Sequence, residues 1–290
     1  MENENVQGEG SQDNINVNTC PMAELVVSGG TNLGQYDPRN YRDIYSSQRR
    51  RLDNVLRDYL RPKGKMEYQG SIYESHFCVT SWLKTQKAIL AGGTICSVFT
   101  DRQVNDLDFY FKDYETCLKA RDFFVDVLNY KVVSTTDNAI TLIRRNRNAY
   151  QTIQIITRFV SEDPAVILAK FDFTIVQGAY CFVDDKFHLG HRFLLDNTER
   201  RLVYSNQSEY PICALIRTKK YVERGYKLTN GAAVAIALAV HRLKIETYRD
   251  LKEQLLGIDT QAFEEVTKGF DETKKFVASE FIQLWSDELF

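Results

Sequence analysis

The stretch Ala88–Phe111, AILAGGTICSVFTDRQVNDLDFYF, constrains the fold of this chain more than any other part of the sequence. A short apolar segment runs into two adjacent glycines, a helix can begin at Thr94, and an extended segment then carries acids at alternate positions. Residues two apart in a strand project from the same face, so Asp106 and Asp108 point together. The pattern predicts a strand, a glycine turn, a helix and a second strand with a carboxylate pair.

The carboxylate pair and the glycine turn together predict a phosphate site with a metal ion. Two adjacent like charges are costly unless a cation neutralises them, and hard divalent ions such as Mg²⁺ prefer oxygen ligands. Gly92 and Gly93 let the backbone approach a phosphate closely, and the helix N-terminus at Thr94 offers unpaired N–H groups. These are the groups that metal-assisted nucleotidyl transfer requires.

The spacing of these motifs resembles that of the nucleotidyltransferase superfamily, which includes DNA polymerase β, poly(A) polymerases and the CCA-adding tRNA nucleotidyltransferases. Gly-Gly, twelve residues and then Asp-x-Asp is typical of the CCA-adding branch, which also usually has an Arg where Arg102 falls. The resemblance implies that Asp106 and Asp108 hold two Mg²⁺ ions and that an NTP is the donor substrate. The nucleotide-binding residues that it implies are Gly92, Gly93, Thr94, Ser97, Arg102, Arg217 and Lys220.

A second resemblance lies in Tyr210–Leu228, YPICALIRTKKYVERGYKL. It is similar to the helix of CCA-adding enzymes that carries Arg-x-x-Arg-Phe and lines the incoming nucleotide. Arg217 and Lys220 take the two basic places, three residues apart on one helical face. The segments from Phe171 to Tyr204 also look like uncharacterised nucleotidyltransferase-like proteins of viruses and phages.

The sequence departs from the CCA-adding pattern at two points. Cys96 and Ser97 replace the Arg-Asp pair that follows the glycines, so template-free CCA synthesis is not expected. Gln154 stands where the superfamily has a third carboxylate. Asp172, expected at the start of another strand, is the alternative third acid, either as a metal ligand or as the general base for the attacking hydroxyl.

Composition and segment order predict a globular protein. The 290 residues are 43% hydrophobic with a net charge of −2, which excludes a polybasic class. We expect an α+β fold: a nucleotidyltransferase-like core with a mixed sheet at residues 39–205, then an all-α C-terminal domain at 206–290. Residues 1–38 are predicted to be a flexible acidic tail. The sequence has no long apolar run and no basic leader, so we predict no membrane partner. The six scattered cysteines are typical of reduced thiols, so we predict a cytoplasmic location, in the host cytoplasm if the chain is viral.

Other polar groupings carry weaker signals. His188 and His191 lie near Cys181, but H-x-x-H without a second ligand pair is too sparse for zinc. The clusters Arg49–Arg51 and Arg144–Arg147 either contact phosphates of RNA or DNA or are solvated charges on a helix and a hairpin turn.

Two function hypotheses follow. In the first, the chain is a Mg²⁺-dependent enzyme that moves a nucleoside monophosphate from an NTP to an acceptor (an RNA 3′ end, a protein or a small molecule) and releases pyrophosphate. In the second, it has kept the fold without catalysis and acts as a nucleotide-binding or assembly component. The second hypothesis is motivated by Gln154 and by the missing Arg-Asp pair.

Overall fold

The computed structural model describes residues 38–146, 149–205, 208–255, 257 and 260–288, so the predicted tail lies almost wholly outside the described residues. The α-helices are α1 Pro38–Leu60, α2 His76–Thr85, α3 Gly93–Thr100, α4 Tyr114–Asp126, α5 Pro164–Ala169, α6 Phe193–Thr198, α7 Pro211–Glu223, α8 Asn230–His241, α9 Tyr248–Gln254, α10 Thr260–Thr267 and α11 Ala278–Glu288. The strands are β1 Met66–Tyr68, β2 Ser71–Tyr73, β3 Ile89–Ala91, β4 Asp106–Tyr110, β5 Lys131–Thr135, β6 Ala139–Asn146, β7 Ala149–Ile156, β8 Gly178–Cys181, β9 Lys186–Leu189, β10 Arg201–Leu202 and β11 Lys227–Leu228.

A seven-stranded sheet forms the centre of the molecule, in the order β5-β6-β7-β4-β3-β8-β9. β4 and β7 run parallel, and the other neighbouring strands in this sheet are antiparallel. The predicted α+β class with a mixed sheet is therefore confirmed. The two strands of the glycine and Asp-x-Asp motif, β3 and β4, are direct neighbours at the middle of the sheet.

The core explains why β4 carries its acids on one face only. Leu107 and Phe109 are fully buried, whereas Asp106 and Asp108, at alternate positions, are only partly buried. α4 covers the apolar face with Phe123 and Phe124, and the indole of Trp82 stacks on the ring of Phe123 at 3.7 Å. Burying each such apolar side chain stabilises the fold by roughly 1.5–3 kcal/mol. Because Leu107 and Phe109 must point into the core, Asp106 and Asp108 project from the opposite face of β4.

The second basic cluster has a structural role at Arg144. Its guanidinium is buried and donates to the side-chain oxygen of Gln151 and to several backbone carbonyls. Those carbonyls belong to Asp58, Tyr59, Arg61 and Leu128. Arg144 therefore joins α1 to the β6–β7 hairpin, and neither predicted role, a phosphate contact or a solvated turn charge, applies to it. Arg147 lies outside the described residues.

Two predicted segments differ in the structure. Residues 172–182 were expected to be extended, but a 3₁₀ turn at Thr174–Val176 precedes β8, and Thr174 donates to the buried carboxylate of Asp196. The chain beyond Tyr210 was expected to be entirely helical, but β11 pairs in parallel with β10. Both differences depend on contacts between distant segments. None of the described helices combines the length and the apolarity needed to cross a membrane.

Candidate functional site

The glycine turn and the acidic strand meet at one place. α3 begins at Gly93 directly after β3, and the hydroxyl of Thr94 donates a 2.8 Å hydrogen bond to the backbone carbonyl of Asp106. A Cβ atom built on Gly92 would lie 3.8 Å from Oδ2 of Asp108. The start of α3 therefore lies beside the carboxylate pair, as the strand–turn–helix–strand pattern predicted.

The two glycines differ in backbone conformation and in surroundings. Gly92 has φ +81°, its amide donates to the carbonyl of Gly178 at 2.9 Å, and a Cβ there would lie 2.8 Å from the ring of Phe171. Gly93 borders open space, with no atom within 4 Å of a Cβ built on it. The first N–H groups of a helix have no partner within the helix, so open space at Gly93 leaves room for an anion to approach them.

The carboxylate of Asp108 is partly buried beside another acid, an arrangement that a cation would stabilise. Its Oδ1 atom is buried and has no hydrogen-bond partner. Burial and the neighbouring charge of Asp106 raise the pKa of Asp108 to about 8, although Arg217 and Lys220 act in the opposite direction. Two oxygen-bearing side chains on one strand face, one with an orphaned oxygen, fit a hard divalent cation such as Mg²⁺.

Arg217 on α7 is held by two groups close to this pair. Its Nη1 donates to Oδ2 of Asp172 at 2.8 Å, and its Nε and Nη2 donate to the carbonyl of Gly257 at 3.1 and 2.6 Å. Burial lowers the pKa of the guanidinium, but the charge of Asp172, together with Cys213, Tyr221 and the hydrogen bond to Asp172, raises that pKa above its ordinary value. Arg217 therefore stays a fixed positive charge that also acts on Asp108.

The third acid of the predicted site is not with the other two. In the described part of the chain, Asp106, Asp108 and Asp172 do not bring one oxygen each within 4.8 Å of one another. The sequence predicts Asp172 at the metal site; in the structure Arg217 engages its Oδ2, while its Oδ1 is buried with no hydrogen-bond partner. Gln154 instead faces Asp108 in register across the parallel strands β4 and β7, on the same sheet face.

Of the other predicted nucleotide-binding residues, Lys220 lies in the region of the carboxylate pair, whereas Arg102 and Ser97 make contacts elsewhere. Lys220 is exposed on α7 and its charge acts on Asp108, so it belongs to the same region as Arg217. Arg102 differs from its predicted role, because its guanidinium donates to the carbonyl of Arg224 at the C-terminal end of α7, where a cation suits the helix dipole. Ser97 is buried within α3, and its carbonyl accepts from the amide of Arg102.

Sequence reasoning missed three residues that shape the site. Tyr59 of α1 donates to the carbonyls of Val104 and Asn105 just before β4, and burial and the charge of Asp106 raise its pKa to about 12. Phe171 packs against Gly92, and the backbone carbonyl of Gly257 accepts hydrogen bonds from Arg217. All three act across long stretches of sequence, so local patterns carried no signal for them.

Comparison with known proteins identifies the family. Residues 43–200, more than half of the chain, match the profile described as Gabija anti-defense 2 family protein. The chain belongs to the Gabija anti-defense 2 family. A member from Bacillus phage SPbetaL7, named Gabija anti-defense 2, is 35% identical over 177 residues. These are 61% of this chain and 43% of that relative, so the match spans less than half of the relative's length. The predicted resemblance to phage proteins is thus confirmed within this family.

Solved structures of a tRNA-processing enzyme, a CCA-adding enzyme and a tRNA nucleotidyltransferase also match. A tRNA-processing enzyme in its apo form has 14% identity and a TM-score of 0.48, over 81% of this chain and 56% of that one. A CCA-adding enzyme with CTP has 14% identity and a TM-score of 0.47, over 77% and 55%. A tRNA nucleotidyltransferase with a primer tRNA and an ATP analogue has 15% identity and a TM-score of 0.45, over 72% and 60%. Similarity at this level establishes neither activity nor substrate.

Proposed function

We propose that this chain is a metal-dependent nucleotidyltransferase, and that its family role against the Gabija defense depends on that activity. One observation carries the proposal: the orphaned, charge-crowded carboxylate of Asp108 lies beside the open N-terminus of α3. A carboxylate pair next to a helix N-terminus that is open at Gly93 is the arrangement that triphosphate chemistry needs. The family name supplies the biological setting.

The residues divide the work as follows. Asp106 and Asp108 would hold Mg²⁺, which when bound would neutralise them and withdraw charge from the triphosphate. The amides at the start of α3 would receive a phosphate group that enters over Gly93. Arg217 and Lys220 would stabilise the negative charge that develops as the acceptor oxygen bonds to the α-phosphorus and pyrophosphate leaves.

Asp172 fits a positioning role better than that of a base. Its Oδ2 accepts a 2.8 Å hydrogen bond from Arg217, whose charge acts on Asp108, so the carboxylate orients a cation that faces the site. We therefore assign Asp172 to holding Arg217 in place, and the acceptor hydroxyl would release its proton to solvent.

A second function is favoured by Gln154. A neutral amide beside Asp108, where the related superfamily has an acid, suits nucleotide binding without turnover. The protein would then act against Gabija as a nucleotide-binding partner of another component.

Two measurements separate these functions. Titration calorimetry with each NTP and Mg²⁺ should show binding to the wild-type protein, unchanged binding to Asp122→Asn, an exposed carboxylate on α4, and none to Asp106→Asn/Asp108→Asn. Transfer of label from [α-³²P]NTP to RNA or protein of Gabija-carrying cells then supports the enzyme. Binding without transfer supports the second function, and absence of binding contradicts both.

Infection tests the biological role. Phage growth on Gabija-carrying cells should be restored by the wild-type chain and by Asp122→Asn. If Asp106→Asn/Asp108→Asn restores growth equally well, the carboxylate pair has no part in the anti-defense role.

A further inference from the structure

The β8–β9 hairpin, at one edge of the seven-stranded sheet, brings three side chains of different chemistry together. Cys181 ends β8, Asp184 lies in the turn and His188 lies in β9. A sulfur, a carboxylate oxygen and a ring nitrogen from these residues all lie within 4.8 Å of one another. Nε2 of His188 is 2.8 Å from Oδ2 of Asp184. This cluster is separate from the carboxylate pair on β4.

The hairpin register explains why the cluster forms. Ala179 pairs with His188 and Cys181 pairs with Lys186, so all four side chains emerge on the same sheet face. The H-x-x-H pattern of His188 and His191 was too sparse to predict zinc, and His191 is in fact exposed and outside the cluster. The turn supplies Asp184 instead, a partner that an H-x-x-H pattern does not reveal.

We propose that Cys181, Asp184 and His188 form a three-ligand site for Zn²⁺, with a fourth position left to solvent. A thiolate and an imidazole favour zinc over the hard ions that suit an all-carboxylate site. Zinc bonds of about 2.0–2.3 Å in a tetrahedron hold ligand atoms roughly 3.3–3.8 Å apart, a spread that small side-chain adjustments reach here. The partly exposed side chains of Asp184 and His188 leave a path for the ion.

The surroundings of the sulfur support this assignment. The backbone amides of Asp184 and Val183 hydrogen-bond to the sulfur of Cys181. Amide donors of this kind stabilise a metal-bound thiolate, because they share its negative charge. Binding of the ion would replace the thiol proton, which leaves to solvent.

The turn that carries Asp184 is already fixed. Asp185 has φ +62°, and its amide donates to the carbonyl of Cys181 at 3.0 Å. Nη1 of Arg49 on α1 lies 2.7 Å from Oδ1 of Asp185. A preformed turn lowers the ordering cost of metal binding. Since β8 also accepts the amide of Gly92 through Gly178, zinc at this hairpin would stiffen the support of the glycine turn.

Cobalt is the probe for this site. The full chain, freed of metal by chelation, should bind one Co²⁺ with the near-ultraviolet charge-transfer band of a thiolate ligand, and Zn²⁺ should displace it. His188→Gln and Asp184→Asn should each weaken Co²⁺ binding at least tenfold, whereas His191→Gln, a histidine outside the cluster, should bind as the wild-type protein does. Zn²⁺ should also raise the melting temperature of the wild-type protein but not of His188→Gln.

Two results would overturn the assignment. One is the absence of a thiolate band with wild-type protein, and the other is equal Co²⁺ affinity in the wild-type protein and His188→Gln. The variant Asp106→Asn/Asp108→Asn should keep the band, and its loss there would assign the ion to the carboxylate pair instead. Both single variants alter partly exposed side chains, and circular dichroism checks that they fold.

Discussion

The guanidinium of Arg217 donates a 2.8 Å hydrogen bond to the carboxylate of Asp172, 45 residues earlier in the chain. The two partners differ in exposure: the side chain of Asp172 is 4% exposed and that of Arg217 is 31% exposed. Loss of the cation would therefore leave a charge that water cannot reach, whereas loss of the anion would leave one that water reaches in part.

This asymmetry predicts unequal effects on stability. Arg217→Met should lower the free energy of unfolding by about 3 kcal/mol, because it leaves Asp172 buried and unpaired. Asp172→Asn should cost less, since its amide oxygen can still accept from Arg217. Urea denaturation of the two variants checks the order, and equal losses would contradict it.

Asp172→Asn also tests the positioning role. With Arg217 held less firmly, affinity for Mg²⁺–NTP should fall about tenfold, or about 1.4 kcal/mol. If Asp172 were instead a base, the variant would bind NTP normally, transfer more slowly and lose the limb of the pH profile that the base causes. Calorimetry together with a pH profile of transfer distinguishes these results.

The two glycines should behave differently when changed to alanine. Gly92→Ala should destabilise the protein by about 1–3 kcal/mol, because a residue with a Cβ is strained at φ +81° and clashes with Phe171. Gly93→Ala has open space and should fold as the wild-type protein does. Its methyl group would occupy the approach to the α3 amides, so it should weaken NTP binding. Normal NTP binding by Gly93→Ala would argue against a phosphate at this helix end.

Stability without metal should depend on pH through Asp108. Its pKa is about 8 in the folded protein, well above the value of about 3.9 for an exposed Asp. Below pH 4 both states are protonated, and as the pH rises towards 8 the unfolded state ionises first, so the folded state loses stability. In EDTA, Asp108→Asn should therefore be more stable than the wild-type protein at pH 8 by at least about 1 kcal/mol, the equivalent of roughly one pKa unit.

The same comparison at pH 4 and in Mg²⁺ provides the control. The advantage of Asp108→Asn should shrink at pH 4, where the wild-type carboxyl is neutral. It should also shrink when Mg²⁺ stabilises the wild-type protein. An advantage that does not change with pH would show that packing, and not charge, separates the two proteins.

Arg144 should matter for stability but not for nucleotide binding. Arg144→Met removes the side-chain donor of the Leu128 and Arg61 carbonyls and one of the donors of the Tyr59 carbonyl, and it should cost about 3 kcal/mol. Arg145→Met, its exposed neighbour, should leave the free energy of unfolding unchanged. If instead Arg144 contacted RNA or DNA, the variant would keep its stability and lose binding.

The sequence predicted the parts of the fold that depend on neighbouring residues. β3, α3 and β4 follow from apolar runs and a glycine turn, so the carboxylate pair and its approach were predictable. The short strands β10 and β11 are stabilised by pairing with each other, and no local pattern marks them. The hydrogen bond between Asp172 and Arg217 likewise joins residues far apart in the sequence. No local pattern reveals it, so the sequence alone led us to expect Asp172 beside the metal.

The hydrogen bonds from Arg217 to the carbonyl of Gly257 set a lower limit on the length of a fragment that could keep Arg217 in place. The family match ends at residue 200, before both Arg217 and Gly257. A fragment cut there would lack the cation that neutralises Asp172, and one cut after α9 would lose the carbonyl that orients Arg217. The smallest unit that retains both contacts of Arg217 must therefore extend past Gly257, well beyond the end of the family match.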